Sequence, residues 1–291
     1  FQSFWSLVLV HEIANYGAPD FLKKKLSLYI PQKDIASALQ ALLAPEKMSF
    51  HNRCDYELYK IVLSSHSHED LKQKIDKHAK KWYWVDSSYL EISHVTSEDF
   101  KKRIFLMTKI QAKKKIKNIE NHYKEVARKK RELQIAYKIP HDIMDLANAL
   151  SFSIWWQDHR KGILWWMYSK IDKVSKIVCK KYNISFDKFL YYTSDEWIEL
   201  IEKKKKISQI IIQKRKGFSL HHLHKEGYTI YYGEKAKKML KPFLDKKIDF
   251  TMNEIRGIPV SKGKAQGYVK ILYSSKEVYK MKDGDILVAP M

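Results

Sequence analysis

A chain of 291 residues, 45% of them apolar, can bury a core and is too apolar to stay disordered. Its two cysteines, Cys54 and Cys179, exclude a disulfide framework or a thiolate zinc site and fit a reducing, cytoplasmic setting. The net charge of +22 would attract polyanions, but only seven of 55 basic residues are Arg, and base-composition bias explains such a Lys excess, so nucleic acid is not the expected partner.

In chain order, the N-terminal apolar run Phe4–Val10 is stopped by His11 and Glu12, and no run anywhere reaches the roughly 18–20 residues that cross a bilayer. No membrane partner is expected. The sequence opens at Phe1 without an initiator Met and closes at Met291 directly after an apolar run, which reads as an interior piece of a longer polypeptide. The first hundred residues pattern as short helices punctuated by Pro31 and Pro45, among them Asp34 to Leu43 and His68 to Lys81.

Thr96, with Glu98 and Asp99 in the first turn, caps a long helix expected to run to about Tyr137. Its stripe is Ala112, Ile116, Ile119, Tyr123, Val126, Lys130, Leu133 and Tyr137, with Lys130 an intruder. Pro140 breaks it. A second long helix, about Asp142 to Tyr182, keeps the same rhythm through Ala147, Leu150, Ile154, Gln157, Lys161, Leu164, Tyr168 and Ile171. The short Lys138–His141 connection folds the two back as an antiparallel pair. Ser185 caps a short helix, and Thr193 with Glu196 forms a capping box for another.

From Gly217 the period changes to two, and seven of the nine glycines lie there or later. Phe218 to Leu223 and Tyr228 to Tyr232 flank His224–Gly227 as a β-hairpin, followed by a brief helix over Gly233 to Leu240. The expected architecture is mainly α: a multi-helix domain over 1–241 with the hairpin at about 217–233, a charged linker over 242–254, and an incomplete β/α module over 255–291 with strands at about Gly267–Tyr273 and Asp285–Ala289.

The densest chemical cluster lies on the second long helix. Trp156, Gln157, Asp158, Arg160 and Lys161, beside Trp155, Trp165 and Trp166, put cations and an amide among large aromatics, a combination that could hold an anionic or aromatic acceptor. An aromatic core with satisfied polar residues is the simpler account of the same pattern. Trp82, Trp84, Asp86 and Tyr89 read as core packing. His222 and His224 share a strand face, yet no Cys or carboxylate with ligand spacing joins them, so no metal site is expected, and no residue presents a catalytic constellation.

Two blocks near the C-terminus carry a family resemblance. Gly257-Ile258-Pro259-Val260-Ser261-Lys262-Gly263-Lys264-Ala265-Gln266-Gly267 resembles the G-x-P-(A/V)-S-x-G-x-(A/V)-x-G opening of the phosphohistidine swivelling domain of phosphoenolpyruvate-utilising enzymes, and Gly284-Asp285-Ile286-Leu287-Val288-Ala289 resembles that domain's G-D-I-L-V strand. Looser similarity to the same family covers His78–Trp84, Gln157–Lys161, Lys214–Phe218 and Tyr232–Ala236. The family includes phosphoenolpyruvate synthase, pyruvate phosphate dikinase and the rifampicin phosphotransferases.

The resemblance implies a helical acceptor-binding region joined to the start of a swivelling domain. It also implies ATP, Mg and an ATP-grasp domain, in cis or in trans, for the complete enzyme, and a small-molecule phosphoryl acceptor. The family's T-S-H-A-type motif, which carries the phosphorylated histidine, and an ATP-grasp signature are not found in these 291 residues, so no cofactor is assigned to this chain. A non-catalytic helical binding module with a relic swivelling domain and a Lys-rich nucleic-acid binder stand as alternatives.

Overall fold

The computed structural model describes residues 17–89, 91–243, 263–273 and 275–289. Among them it is mainly helical, with one antiparallel and one parallel pair of strands. The chain divides into two compact units, Phe1–Lys170 and Ile171–Met291. The Phe4–Val10 run, residues 244–254 of the expected linker and the 255–262 opening of the C-terminal block lie outside the described residues.

The first unit begins with α1 (Ala18–Leu26), α2 (Gln32–Leu43), α3 (Phe50–Ser64) and α4 (His68–Trp82). Thr96 does open a helix through a full capping box with Asp99, but this helix, α5 (Ser97–Arg103), is short. The expected continuous helix is interrupted. Leu106 adopts φ 58°, and Thr108 with Gln111 builds a second capping box that starts α6 (Lys109–Ala136). The corner forms because Ile104 is buried and Met107 packs on the core, so the chain turns at that point instead of running straight.

Beyond Pro140, α7 (His141–Tyr182) returns antiparallel to α6, and Lys130 on α6 reaches Ser151 on α7 at 2.8 Å. Two cores fill this unit. One joins Leu22 and Leu26 of α1, Ile35 and Leu42 of α2, and Ile143, Ala147 and Leu150 of α7. The other joins Phe50, Cys54 and Leu58 of α3, Ile75 and Trp82 of α4, Phe100 of α5, Ala112 of α6, and Leu164 and Trp165 of α7. Trp82, Trp84 and Trp165 are therefore core residues, whereas Asp86 and Tyr89, expected to pack with the first two, are exposed.

The second unit contains α8 (Phe186–Phe189), α9 (Ser194–Lys203), α10 (Gln209–Gly217), β1 (Ser219–His224), β2 (Gly227–Tyr232) and α11 (Gly233–Leu240). Phe189 and Leu200 close a small core with Cys179, and Trp197 stacks on Phe189 at 4.3 Å. The hairpin pairs Ser219 with Tyr232 and His224 with Gly227, so its loop is only Lys225-Glu226, shorter than the sequence suggested. Further on, β3 (Val269–Ile271) and β4 (Ile286–Val288) pair in parallel, Val269 opposite Ile286. Parallel strands need a crossover between them, and here a 3-10 turn over Ser275–Lys280 lies within it.

Candidate functional site

On α7 the residues singled out by sequence separate by helical geometry. Successive residues are about 100° apart, so Trp156 and Arg160 share one face, Gln157 and Lys161 a second, and Asp158 a third. Asp158 faces α3, where its Oδ2 accepts the Phe50 amide at 3.2 Å. A carboxylate on the first amide of a helix satisfies an orphan donor and complements the positive end of the helix dipole. One turn on, a Cβ at Gly162 would stand 3.1 Å from the Phe50 ring, so the helices meet where the side chain is missing.

Arg160 is buried, Trp156 half-buried, and the Lys161 ammonium lies 6.0 Å from the centre of the Tyr89 ring. Tyr89 in turn meets Trp165 edge-on at 4.6 Å. The five predicted residues thus do not converge on one point.

A more coherent arrangement centres on Trp155, named in the sequence cluster, and on Lys47, Phe152 and His159, to which the residue pattern assigns no site role. The Trp155 indole donates to the Met48 carbonyl at 3.0 Å, and His159 stacks on Trp155 at 4.7 Å with an interplanar angle of 14°. The Lys47 ammonium lies 4.7 Å from the Trp155 ring centre and 5.0 Å from that of Phe152. Burial pushes the His159 pKa down, and the positive charges of Arg53 and Lys47 push it the same way against Asp158. At neutral pH the shelf therefore presents a neutral imidazole and half-exposed aromatic faces beside two cations.

Such a surface can take a flat apolar group carrying negative charge, through stacking, cation–π contact and ion pairing. The sequence signal for it is the i, i+4 pair Trp155 and His159. Lys47 and Arg53 come from the loop before α3 and its first turn, more than a hundred positions away.

The shelf is held by buried polar contacts. Lys130, the intruder in the α6 stripe, is only 4% exposed and satisfies its charge with Glu46 at 3.0 Å and Ser151 at 2.8 Å. Ser151 passes this on by donating to the Ala44 carbonyl at 2.8 Å, and Tyr123 accepts from the Ser49 amide and the Asn52 side chain. These bonds fix the 44–52 segment that carries Lys47.

Elsewhere in the first unit, Cys54 Sγ lies 3.5 Å from His78 Nε2 in the core. This is not an activated thiolate. Burial drives the thiol pKa up and the imidazole down to about 4, leaving both groups neutral.

In the second unit, a cavity of about 380 Å³ is lined by Tyr191, Thr193, Arg215, Ser219, His221 and Tyr228, among others. Arg215 is buried and engages Glu196 through two bonds of 2.6 and 2.7 Å, with a third to the Tyr191 carbonyl. Its charge is consumed structurally. His222 and His224 do share a hairpin face, ring centres 5.9 Å apart, but His224 is already bonded to Glu226 and Thr229 at 3.0 Å each. Among the described residues no group of three His, Cys, Asp or Glu side chains could hold a metal ion.

The two C-terminal motif blocks meet. A Cβ at Gly267, the last glycine of the first block, would overlap the carbonyl oxygen of Gly284, the first of the second. The Ile286 amide donates to the Tyr268 carbonyl at 2.9 Å and the Leu272 amide to Val288 at 3.0 Å. Asp285 accepts the Lys282 amide at 2.9 Å and holds the turn into β4. Gly267 is thus required by backbone contact across the pair.

No family model, curated protein or solved structure matches this chain.

Proposed function

We propose that this chain is the helical acceptor-side region and the opening strands of the swivelling domain of a phosphoenolpyruvate-synthase-like phosphotransferase. The observation that carries the reading is the contact of Gly267 with Gly284, which joins the two motif blocks into one parallel pair. On this reading a P–O bond of ATP breaks, its electron pair leaving on the nucleotide oxygen, as the phosphoryl group forms a P–N bond with an imidazole of the same module. That bond then breaks as the group passes to an acceptor oxygen. The shelf of Lys47, Phe152, Trp155 and His159 suits an acceptor with a flat apolar part.

The test is labelling of the intact gene product with radioactive ATP in the presence of Mg. Label on protein that is lost in acid and kept in alkali is the result expected of a phosphohistidine. A folded gene product that never acquires such label, alone or with an added ATP-grasp domain, overturns the proposal.

A further inference from the structure

The corner between α5 and α6 carries a second surface. Residues 101–117 hold eight cations and no carboxylate: Lys101, Lys102, Arg103, Lys109, Lys113, Lys114, Lys115 and Lys117. Arg103 pairs with Asp86 and Lys101 with Glu98, and Lys115 lies over the Tyr59 ring. Lys102, Lys109, Lys113, Lys114 and Lys117 are exposed and form no ion pair among the described residues. Amid this charge stand three large apolar side chains in open solvent: Phe105 at 77% exposure, Leu106 at 81% and Ile110 at 82%.

The exposure is built in. Ile104 and Met107 turn inward to the core while Phe105 and Leu106, between them, turn out. Leu106 holds φ 58°, a left-handed conformation that a helix end ordinarily gives to Gly or Asn. The capping box of Thr108 and Gln111 then fixes the direction of α6, whose Ala112 and Ile116 face the core. Lys113, Lys114 and Lys117 are left on the side of Ile110.

We propose that this corner docks the protein on an anionic membrane surface, with Phe105 and Leu106 entering the interface and the lysines of α6 meeting lipid headgroups. Apolar side chains ringed by cations match the two layers of such a surface, acyl boundary below and negative charge above. A nucleic acid would engage the lysines and stack on Phe105, but it gives Leu106 and Ile110 no partner. Peripheral docking needs no spanning helix, and among the described residues no helix is long and apolar enough to cross a membrane.

The test is co-sedimentation of the 291-residue chain with vesicles of phosphatidylcholine alone and of phosphatidylcholine doped with phosphatidylserine. Binding is expected only to the anionic vesicles, weakened by salt. The pair Phe105→Ser with Leu106→Gly removes several buried CH2 groups from the interface and should weaken binding about tenfold or more, with the melting temperature not lowered, since Gly suits the left-handed backbone at 106. Reversing Lys113, Lys114 and Lys117 to Glu should abolish it, since each lysine near an anionic surface is worth about fivefold in affinity. Failure to bind anionic vesicles, or binding indifferent to the Phe105/Leu106 change, overturns the proposal. So does single-stranded RNA binding tighter than anionic-vesicle binding, which would assign the lysines and Phe105 to nucleic acid.

Discussion

Arg215 shows how a single side chain can organise a small unit. Its guanidinium is buried and holds Glu196 through two bonds, while Glu196 also completes the capping box of α9. Arg215→Ala leaves a largely buried carboxylate without its counter-charge, a change that costs about 3 kcal/mol or more. Amide exchange over residues 186–217 should accelerate accordingly, with the first unit unaffected. Burial alone would raise the Glu196 pKa, but the bonds from Arg215 and Thr193 reverse this and hold it below the usual value. That contribution is present above the ordinary Glu range and is lost as pH falls through the lowered pKa.

His78 behaves in a related way. Burial, aided by Lys81 and Arg103 and opposed by Glu57, lowers its pKa to about 4. The unfolded chain takes up that proton first, near 6.5. Stability of the first unit should therefore be full above about pH 6.5 and decline towards pH 4. Urea titrations across this range should show the decline flattened in His78→Gln.

Elements were legible where their signals are local. The N-cap at Thr96, the capping box at Thr193, the antiparallel pair around Pro140 and the hairpin all lie where residue spacing indicates. The break before α6 was not, because no Gly or Pro marks it and the flanking lysines favour helix on either side. Its only local sign is the spacing of Thr108 and Gln111. Thr108→Ala should cost about 1 kcal/mol and fray the start of α6, visible as faster exchange of the Gln111 amide. The helix α10, capped by Ser208 after a Lys-rich run, was not among the expected elements. In the β3–β4 pair, Gly267→Ala forces a methyl group onto the Gly284 carbonyl. Protection of the Leu272 and Ile286 amides should collapse to that of open chain, while melting of the first unit stays unchanged.

At the scale of the molecule, the distribution of charge is more informative than its total. Helix α6 alone carries ten cations against three carboxylates, which is +7 of the +10 formal charge of Phe1–Lys170. Compositional bias explains abundant Lys but not this concentration, and the exposed apolar corner at its start is what separates a docking surface from a merely solvated one. The aromatic shelf is a different face with a different chemistry. Lys47→Ala should disturb it by removing cation–π contacts with Phe152 and Trp155. The change should quench or shift Trp emission without altering helix content by circular dichroism.

Local spacing was enough to specify the mainly helical class, the antiparallel long helices, the switch to period two after Gly217 and the approximate strands at the C-terminus. All of these arise from spacings within a few residues, where backbone geometry and side-chain periodicity act directly. What the polar residues on those helices do depends on long-range contacts that no local spacing reveals. Asp158 meets Phe50 across 108 positions, Trp155 meets Met48 across 107, and Lys130 meets Ser151 across 21. Burial then fixed the roles: a buried charge must find a partner wherever the fold brings one, whereas an apolar side chain left in water, as at Phe105 and Leu106, has one still to find.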